Sequence, residues 1–268
     1  MINSENENNK IRLQKFLALR GLGSRREIEE MIKDGLIKVN GELAKLGIKV
    51  DESDKIKVKG RVFNSNNMQE KVYIMFNKPK GVLSTCKKSK EEGQTVLDYV
   101  KVKERIYPIG RLDKDSLGLL LLTNDGDLAL KLTHPRYEHE KEYLIKIQDT
   151  RNNNQKNFQP TADNLRGDKS QILNSKLLSD NILSKLRDGV DIGGYITRKS
   201  TAIALTKNSF LITLREGKNR QIRRMCEKVG LKVIELKRVR IGKVYLNKLE
   251  TGKWKYLSKN EIISLNNH

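Results

Sequence analysis

Apolar positions recur at helical spacing from the start of the chain. Across residues 11–21, Leu13, Phe16, Leu17 and Arg20 follow helical spacing while Arg12, Lys15 and Arg20 supply charge, a pattern that predicts an amphipathic helix. A second helix is expected from Ser24, whose hydroxyl can accept from the first-turn amides while Glu27 reaches back. Ile28, Met31 and Ile32 form its apolar stripe, and Gly35 is placed to end it. The run LIKVNGE at 36–42 reads as a short strand entering an Asn-Gly turn, and further short strands are predicted at 49–50 and 55–58. Residues 61–71 are polar without a period and are expected to form a linker. From Val72 onward, strands are expected at 72–76, 118–122, 142–147, 201–205, 210–214 and 233–236, with a turn at 77–81. Helices are expected at 127–133, 181–187 and 220–229. The mixture predicts an α+β fold on a largely antiparallel sheet. Residues 150–181 interrupt it as a polar stretch expected to be a surface insertion.

Composition narrows the class of partner. The 268 residues hold 54 Lys and Arg against 33 Asp and Glu, a net charge of +21, which implies a polyanionic partner and nucleic acid first. Lysine drift alone would spread that charge evenly. Instead, residues 218–243 concentrate ten Lys and Arg against Glu227 and Glu235. No apolar run approaches the ~20 residues that a bilayer requires, so no membrane partner is expected. The opening MINSENENNK has neither the basic nor the apolar region of a secretory signal, and the cytoplasm is the expected compartment. Cys86 and Cys226 are far apart, and His134, His139 and His268 build no ligand cluster with them, so neither a metal site nor a cofactor is expected.

Two runs stand out chemically. GRLDKDSLGLLLLTNDG at 110–126 sets an acidic loop directly before a wholly apolar strand. Asp113 thus has a rigid support on which a carboxylate could serve as nucleophile or general base. Asp115 and Asp125 in the same run leave a metal-dependent nuclease or phosphotransferase open, although Asp125 and Asp127 also suit turn and helix-cap positions. EGKNRQIRRMCEKVG at 216–230 puts Ile222, Met225, Cys226 and Val229 on one helical face, which assigns Cys226 to packing. Arg220 and Arg224 lie on another face, and Arg223 borders the buried stripe, where it needs a partner. The start of this helix also suits a phosphate.

The ordered set RLQKFL, SRRE and IKVNG resembles the S4-like RNA-binding domain over roughly residues 10–60. That resemblance implies contact with the backbone of structured RNA through Arg12, Lys15, Arg25 and Arg26. The two chemical runs, with LTHP at 132–135 and KEY at 141–143, resemble the RsuA/RluB family of ribosomal RNA pseudouridine synthases, and within it the RluB, large-subunit type. This second resemblance implies a catalytic domain at 72–260 that isomerises uridine to pseudouridine in large-subunit ribosomal RNA, as a monomer, with no metal or cofactor. The target base must be extruded into an enclosed pocket from which the detached uracil cannot escape. The resemblance further implies that Asp113 is the catalytic carboxylate, that Arg223 faces it as its opposite charge, and that Tyr143 stacks on the uracil and bears on proton movement. Arg111, Lys218, Arg220 and Arg224 become candidates for RNA phosphates, and Asn77, Lys78 and Pro79 for the pocket edge. A ribosome-binding protein without catalysis, in which Asp113 is only a turn residue, is the reading from a different class.

Overall fold

The computed structural model describes residues 10–64, 69–86, 93–149 and 177–266. The chain divides into two compact units, the first reaching Val72 and including residues 102–107 and 123–126, the second comprising the rest. Among the described residues no helix is long and apolar enough to cross a membrane.

In the first unit, β1 (Ile11–Arg12) leads into α1 (Leu13–Leu19), followed by α2 (Arg25–Lys33), β2 (Ile37–Val39), β3 (Glu42–Leu43), β4 (Lys49–Val50), β5 (Ile56–Val58) and β6 (Arg61–Val62). The expected first helix starts only at Leu13, because Ile11 and Arg12 pair with Val50 and Lys49. The capping box of α2 forms as expected: the Glu27 amide donates to Ser24 Oγ at 3.2 Å, and the Ser24 amide to Glu27 Oε2 at 2.6 Å. Leu13, Phe16, Leu17, Ile28, Ile37 and Ile56 are at the centre of the core. Arg20, which shares the spacing of Leu13, Phe16 and Leu17, is buried, with its guanidinium 3.6 Å over the Phe16 ring and paired to Glu52.

Asn40 and Gly41 take positive φ of 52° and 95°, making the hairpin between β2 and β3. Lys59 and Gly60 repeat the device at 49° and 77°, and they correct the linker expected over 61–71. Its first residues form β6, with Arg61 opposite Val58 and Val62 opposite Lys57. Lysine seldom occupies a left-handed turn position, so Lys-Gly does not announce a hairpin as Asn-Gly does.

The second unit runs β7 (Tyr73–Lys78), α3 (Val96–Tyr99), β8 (Tyr107–Pro108), β9 (Leu117–Thr123), α4 (Gly126–Thr133), β10 (Lys141–Asp149), α5 (Asp180–Asp188), β11 (Thr201–Thr206), β12 (Ser209–Leu214), α6 (Gln221–Lys228), β13 (Leu231–Ile241), β14 (Val244–Tyr245), β15 (Trp254–Tyr256) and α7 (Lys259–Asn266). The sheet order is β11-β12-β10-β13-β9-β7-β15, with β14 on β13 and β8 on β9. β10 pairs antiparallel with both β12 and β13, whereas β13 and β9 run parallel. β7 extends through Asn77 and Lys78, which were expected in a turn. β13 covers eleven residues rather than the expected 233–236, because its interspersed lysines and arginines hide the strand from an apolar pattern. Neither β15 nor α7 was expected. Their sequences have no sustained stripe, yet β15 pairs with β7, and Leu265 of α7 joins the core containing Leu119, Leu121 and Leu128. Residues 150–176 of the expected insertion lie outside the described residues, and α5 already begins at Asp180.

The parallel approach of β9 to β13 is closest at Gly118, which pairs with Arg238 and has φ +102°. A Cβ there would overlap the Arg238 carbonyl oxygen and lie 2.8 Å from its nitrogen. Gly118→Ala should therefore destabilise the protein by about 3 kcal/mol or more, from strain plus overpacking. Loss of the exposed α2 cap in Ser24→Ala should cost only about 1 kcal/mol. Denaturant unfolding that shows equal, small losses for both would contradict the close approach.

Candidate active site

The loop over residues 110–116 carries Asp113 into the head of β9, where Leu119, Leu120, Leu121 and Leu122 are all buried. Leu112, immediately before Asp113, is also buried, while the Asp113 and Asp115 side chains remain 32% and 37% exposed. Both therefore sit at the surface of a rigid support. Arg220 donates to Asp115 Oδ1 and Oδ2 at 3.2 and 3.3 Å, and its Nη1 lies 4.0 Å from Asp113 Oδ2. Arg223 Nη2 lies 3.2 Å from Asp115 Oδ2 and donates to the Asp115 carbonyl at the same distance.

This geometry corrects the partner expected for Arg223. The residue faces the acidic loop, but it pairs with Asp115 and not with Asp113. Its second contact explains why: Nη1 donates to the Val233 carbonyl at 3.4 Å, which draws the guanidinium toward β13 and the loop backbone. Its side chain is only 14% exposed, and Nε is buried with no hydrogen-bond partner. Arg220 reaches the loop from the residue before α6, held at φ +49°. With partly exposed carboxylates such pairs contribute about 1 kcal/mol or less to stability, so their effect is to fix geometry.

Near the loop is a cluster of cations, Lys78 and Arg238 buried and Lys141 half-buried. Lys78 is fully buried and donates from Nζ to the carbonyls of Pro79 at 3.0 Å and Val82 at 2.7 Å. Burial pushes its pKa down to about 8, against the pull of the nearby Asp115 and Asp113 carboxylates and with a further push from Arg238. Arg238, 2% exposed, donates from Nε to the Leu119 carbonyl at 2.7 Å and has a buried Nη2 with no partner. Lys141 is pushed down to about 8 by burial and then by Arg238. Tyr143, at the edge of full burial, stands two residues along β10 on the same face as Lys141 and opposite Arg238 in register.

From the sequence, Lys78 is expected at a pocket edge and Arg238 within the basic cluster of 218–243, whereas Lys141 is not expected at the site. The signal for Lys141 was its period-two spacing from Tyr143. Arg238 had none, since its burial follows from the position of β13 between β10 and β9.

The other anticipated residues are distributed around these. Arg111 and Lys218 are exposed, with Lys218 Nζ 4.2 Å over the Tyr195 ring. Arg224 is half-buried beside Gly193. Ahead of α6, Glu216 accepts from Tyr195 Oη, the Arg198 amide and Gln221 Nε2, and Gln221 Oε1 accepts from the Lys218 amide. Cys226 is buried in the helix stripe and its thiol is pushed up to about 12 by burial, which leaves it inert at neutral pH. In the first unit Arg12, Arg25 and Arg26 are exposed and Lys15 is half-buried. A hollow lined by Lys38, Lys57 and Lys59 adds basic residues that the sequence reading did not select. Asp125, considered as a metal ligand, pairs with Lys71 at 2.9 Å. Among the described residues no group of three or more His, Cys, Asp or Glu is arranged to hold a metal ion.

Comparison with known proteins identifies the family of both units. Residues 72–228 match the RNA pseudouridylate synthase family, and residues 11–56 match the S4 domain. The dual-specificity RNA pseudouridine synthase RluF of Salmonella typhi is 37% identical over 254 residues, spanning 95% of this chain and 78% of its own. Ribosomal large subunit pseudouridine synthase B of Bacillus subtilis is 40% identical over 259 residues, spanning 94% and 93%. A crystal structure of a pseudouridylate synthase superposes with a TM-score of 0.62 at 25% identity, over 95% of this chain and 99% of that one. With the family matched over most of its catalytic unit and relatives similar along nearly its whole length, the chain belongs to the RNA pseudouridylate synthases, with an S4 domain ahead of the synthase domain.

Proposed function

We propose that this chain isomerises specific uridines of large-subunit ribosomal RNA to pseudouridine, in the cytoplasm, with Asp113 as the group that acts on the extruded nucleotide. The observation that carries the reading is the Asp113 loop itself: a partly exposed carboxylate at the head of a buried strand, bordered by Arg220 and close to the buried Lys78. In the reaction the N1–C1′ bond breaks, the uracil turns over, and a C5–C1′ bond forms. The C5 hydrogen leaves as a proton and N1 takes one up, so no external reagent is consumed.

Asp113 works on the sugar side, where positive character develops as the bond breaks. Tyr143 offers its ring to the uracil and a hydroxyl to the proton transfers. Negative charge on the departing uracil is met by the preorganised field of Lys78, Lys141 and Arg238. Arg223 acts at one remove, holding Asp115 and with it the loop. Arg12, Lys15, Arg25 and Arg26 of the S4 domain, with Arg111, Lys218 and Arg224, take RNA phosphates. Arg220 can join them only by releasing Asp115.

The test uses a large-subunit ribosomal RNA transcript tritiated at uridine C5, whose label is released to water on isomerisation. Asp113→Asn should lower conversion by about 10³-fold or more while leaving RNA affinity within about twofold. A variant that retains conversion would remove Asp113 from the mechanism, and an unaltered chain that converts no uridine would remove the function. Conversion should persist undiminished in excess chelator, whereas a metal-dependent nuclease or phosphotransferase would be silenced. RNA affinity should fall by about 100-fold between 50 and 200 mM salt if about four phosphates are contacted, and the slope should flatten in Arg25→Glu/Arg26→Glu. Affinity indifferent to salt would eliminate the phosphate-binding surface.

A further inference from the structure

Leu112 is buried and belongs to neither helix nor strand, so its backbone N–H and C=O lack the ladder partners that regular structure would supply. Both are satisfied by one side chain. Ser84 Oγ donates to the Leu112 carbonyl at 2.7 Å, and the Leu112 amide donates back to the same oxygen at 3.1 Å. A hydroxyl is suited to this because it carries a donor and acceptor lone pairs on a single atom.

On the far side of Asp113, the Gly81 amide donates to the Lys114 carbonyl at 2.7 Å, and the Ser116 amide closes onto the Asp113 carbonyl at 3.0 Å. The residues before and after Asp113 are thus both tied to the segment 81–84. That segment is itself fixed. Lys78 Nζ holds the carbonyls of Pro79 and Val82, and Gly81 has φ +90°, a conformation that strains any residue with a Cβ. Leu83 is locked beyond it, its amide donating to the Gln94 carbonyl at 2.9 Å and its carbonyl accepting from the Val96 amide at 3.1 Å.

We propose that Ser84 is a positioning residue for the isomerisation, its hydroxyl clamping the backbone beside Asp113 so that the carboxylate meets the sugar in reactive geometry. The inference rests on the function proposed above. Ser84 does its work through Asp113. Without Oγ, both backbone groups of Leu112 lose their partner and the loop is free to move, and a displacement of about 1 Å at a reacting group is enough to cost about 10²-fold in rate.

Ser84→Ala and Ser84→Thr separate this from a merely structural role, since threonine keeps the oxygen. With the C5-tritiated transcript, Ser84→Ala should lower kcat by about 10- to 100-fold, with KM and RNA affinity within about twofold of the unaltered chain. Ser84→Thr should stay within about threefold of the unaltered kcat. Hydrogen exchange at the Leu112 amide should accelerate in Ser84→Ala and be restored in Ser84→Thr. The clamp is overturned if Ser84→Ala keeps its kcat, if Ser84→Thr is as slow as Ser84→Ala, or if the loss disappears once rates are normalised to folded protein. These outcomes leave the function standing, because the unaltered chain is then active. Absence of pseudouridine with the unaltered chain overturns the function and the clamp together, whatever the exchange rates show.

Discussion

Where β9 leaves the Asp113 loop it pairs in parallel with β13, and Gly118 lies so near the Arg238 backbone that no side chain fits between them. The contact draws β13 against the head of β9. Arg238 then turns its guanidinium inward to the Leu119 carbonyl, adjacent in register to Tyr143. The same juxtaposition brings the Arg223 guanidinium between the Val233 carbonyl of β13 and the Asp115 carbonyl of the loop. A missing Cβ thus sets where the carboxylates, the arginines and the tyrosine stand relative to one another.

The electrostatics follow from that placement. Cations are seldom buried without a matched carboxylate, because desolvation costs more than dispersed polar contacts return. Here Lys78 is held by two carbonyls and Arg238 by one, and the aspartates closest to Lys78 remain partly exposed at the loop. The depressed pKa values of Lys78 and Lys141 record the penalty. Such strain is expected at a site that must meet charge appearing only during reaction, where a fixed field has no reorganisation to perform. Asp115 stands between the two groups of cations and joins them, binding Arg220 and Arg223 on its carboxylate and attracting Lys78.

Local chemistry was legible in the residues, and non-local chemistry was not. The Ser24–Glu27 capping box and the Asn40-Gly41 turn were readable because all the atoms involved lie within a few residues of one another. Asp113 before its apolar strand and the buried stripe of α6 were readable for the same reason. Lys59-Gly60 escaped notice because its left-handed lysine is chosen by the pairing of β5 with β6 and not by intrinsic preference. The Arg223 partner was misplaced by two residues. Periodicity shows which way a helical side chain leaves its helix, but not which atom of a facing loop it meets. Ser84 reaches across 28 residues to Leu112 and Arg238 across 119 to Leu119, and neither pairing leaves a trace in spacing or composition.

The +21 charge is therefore not a single feature. Exposed arginines of the S4 domain are the proposed RNA contacts, Arg220 and Arg223 pair with an acidic loop, and Lys78 lies near that loop with Arg238 and Lys141 clustered beside it. Only the first of these roles was apparent from net charge. The most direct measurement is a transcriptome-wide pseudouridine map from cells with and without this chain. Isomerisation at the Asp113 site predicts that one or a few uridines of large-subunit ribosomal RNA lose their modification when the chain is absent and regain it on complementation. Identical maps, or a loss confined to small-subunit RNA, would contradict it.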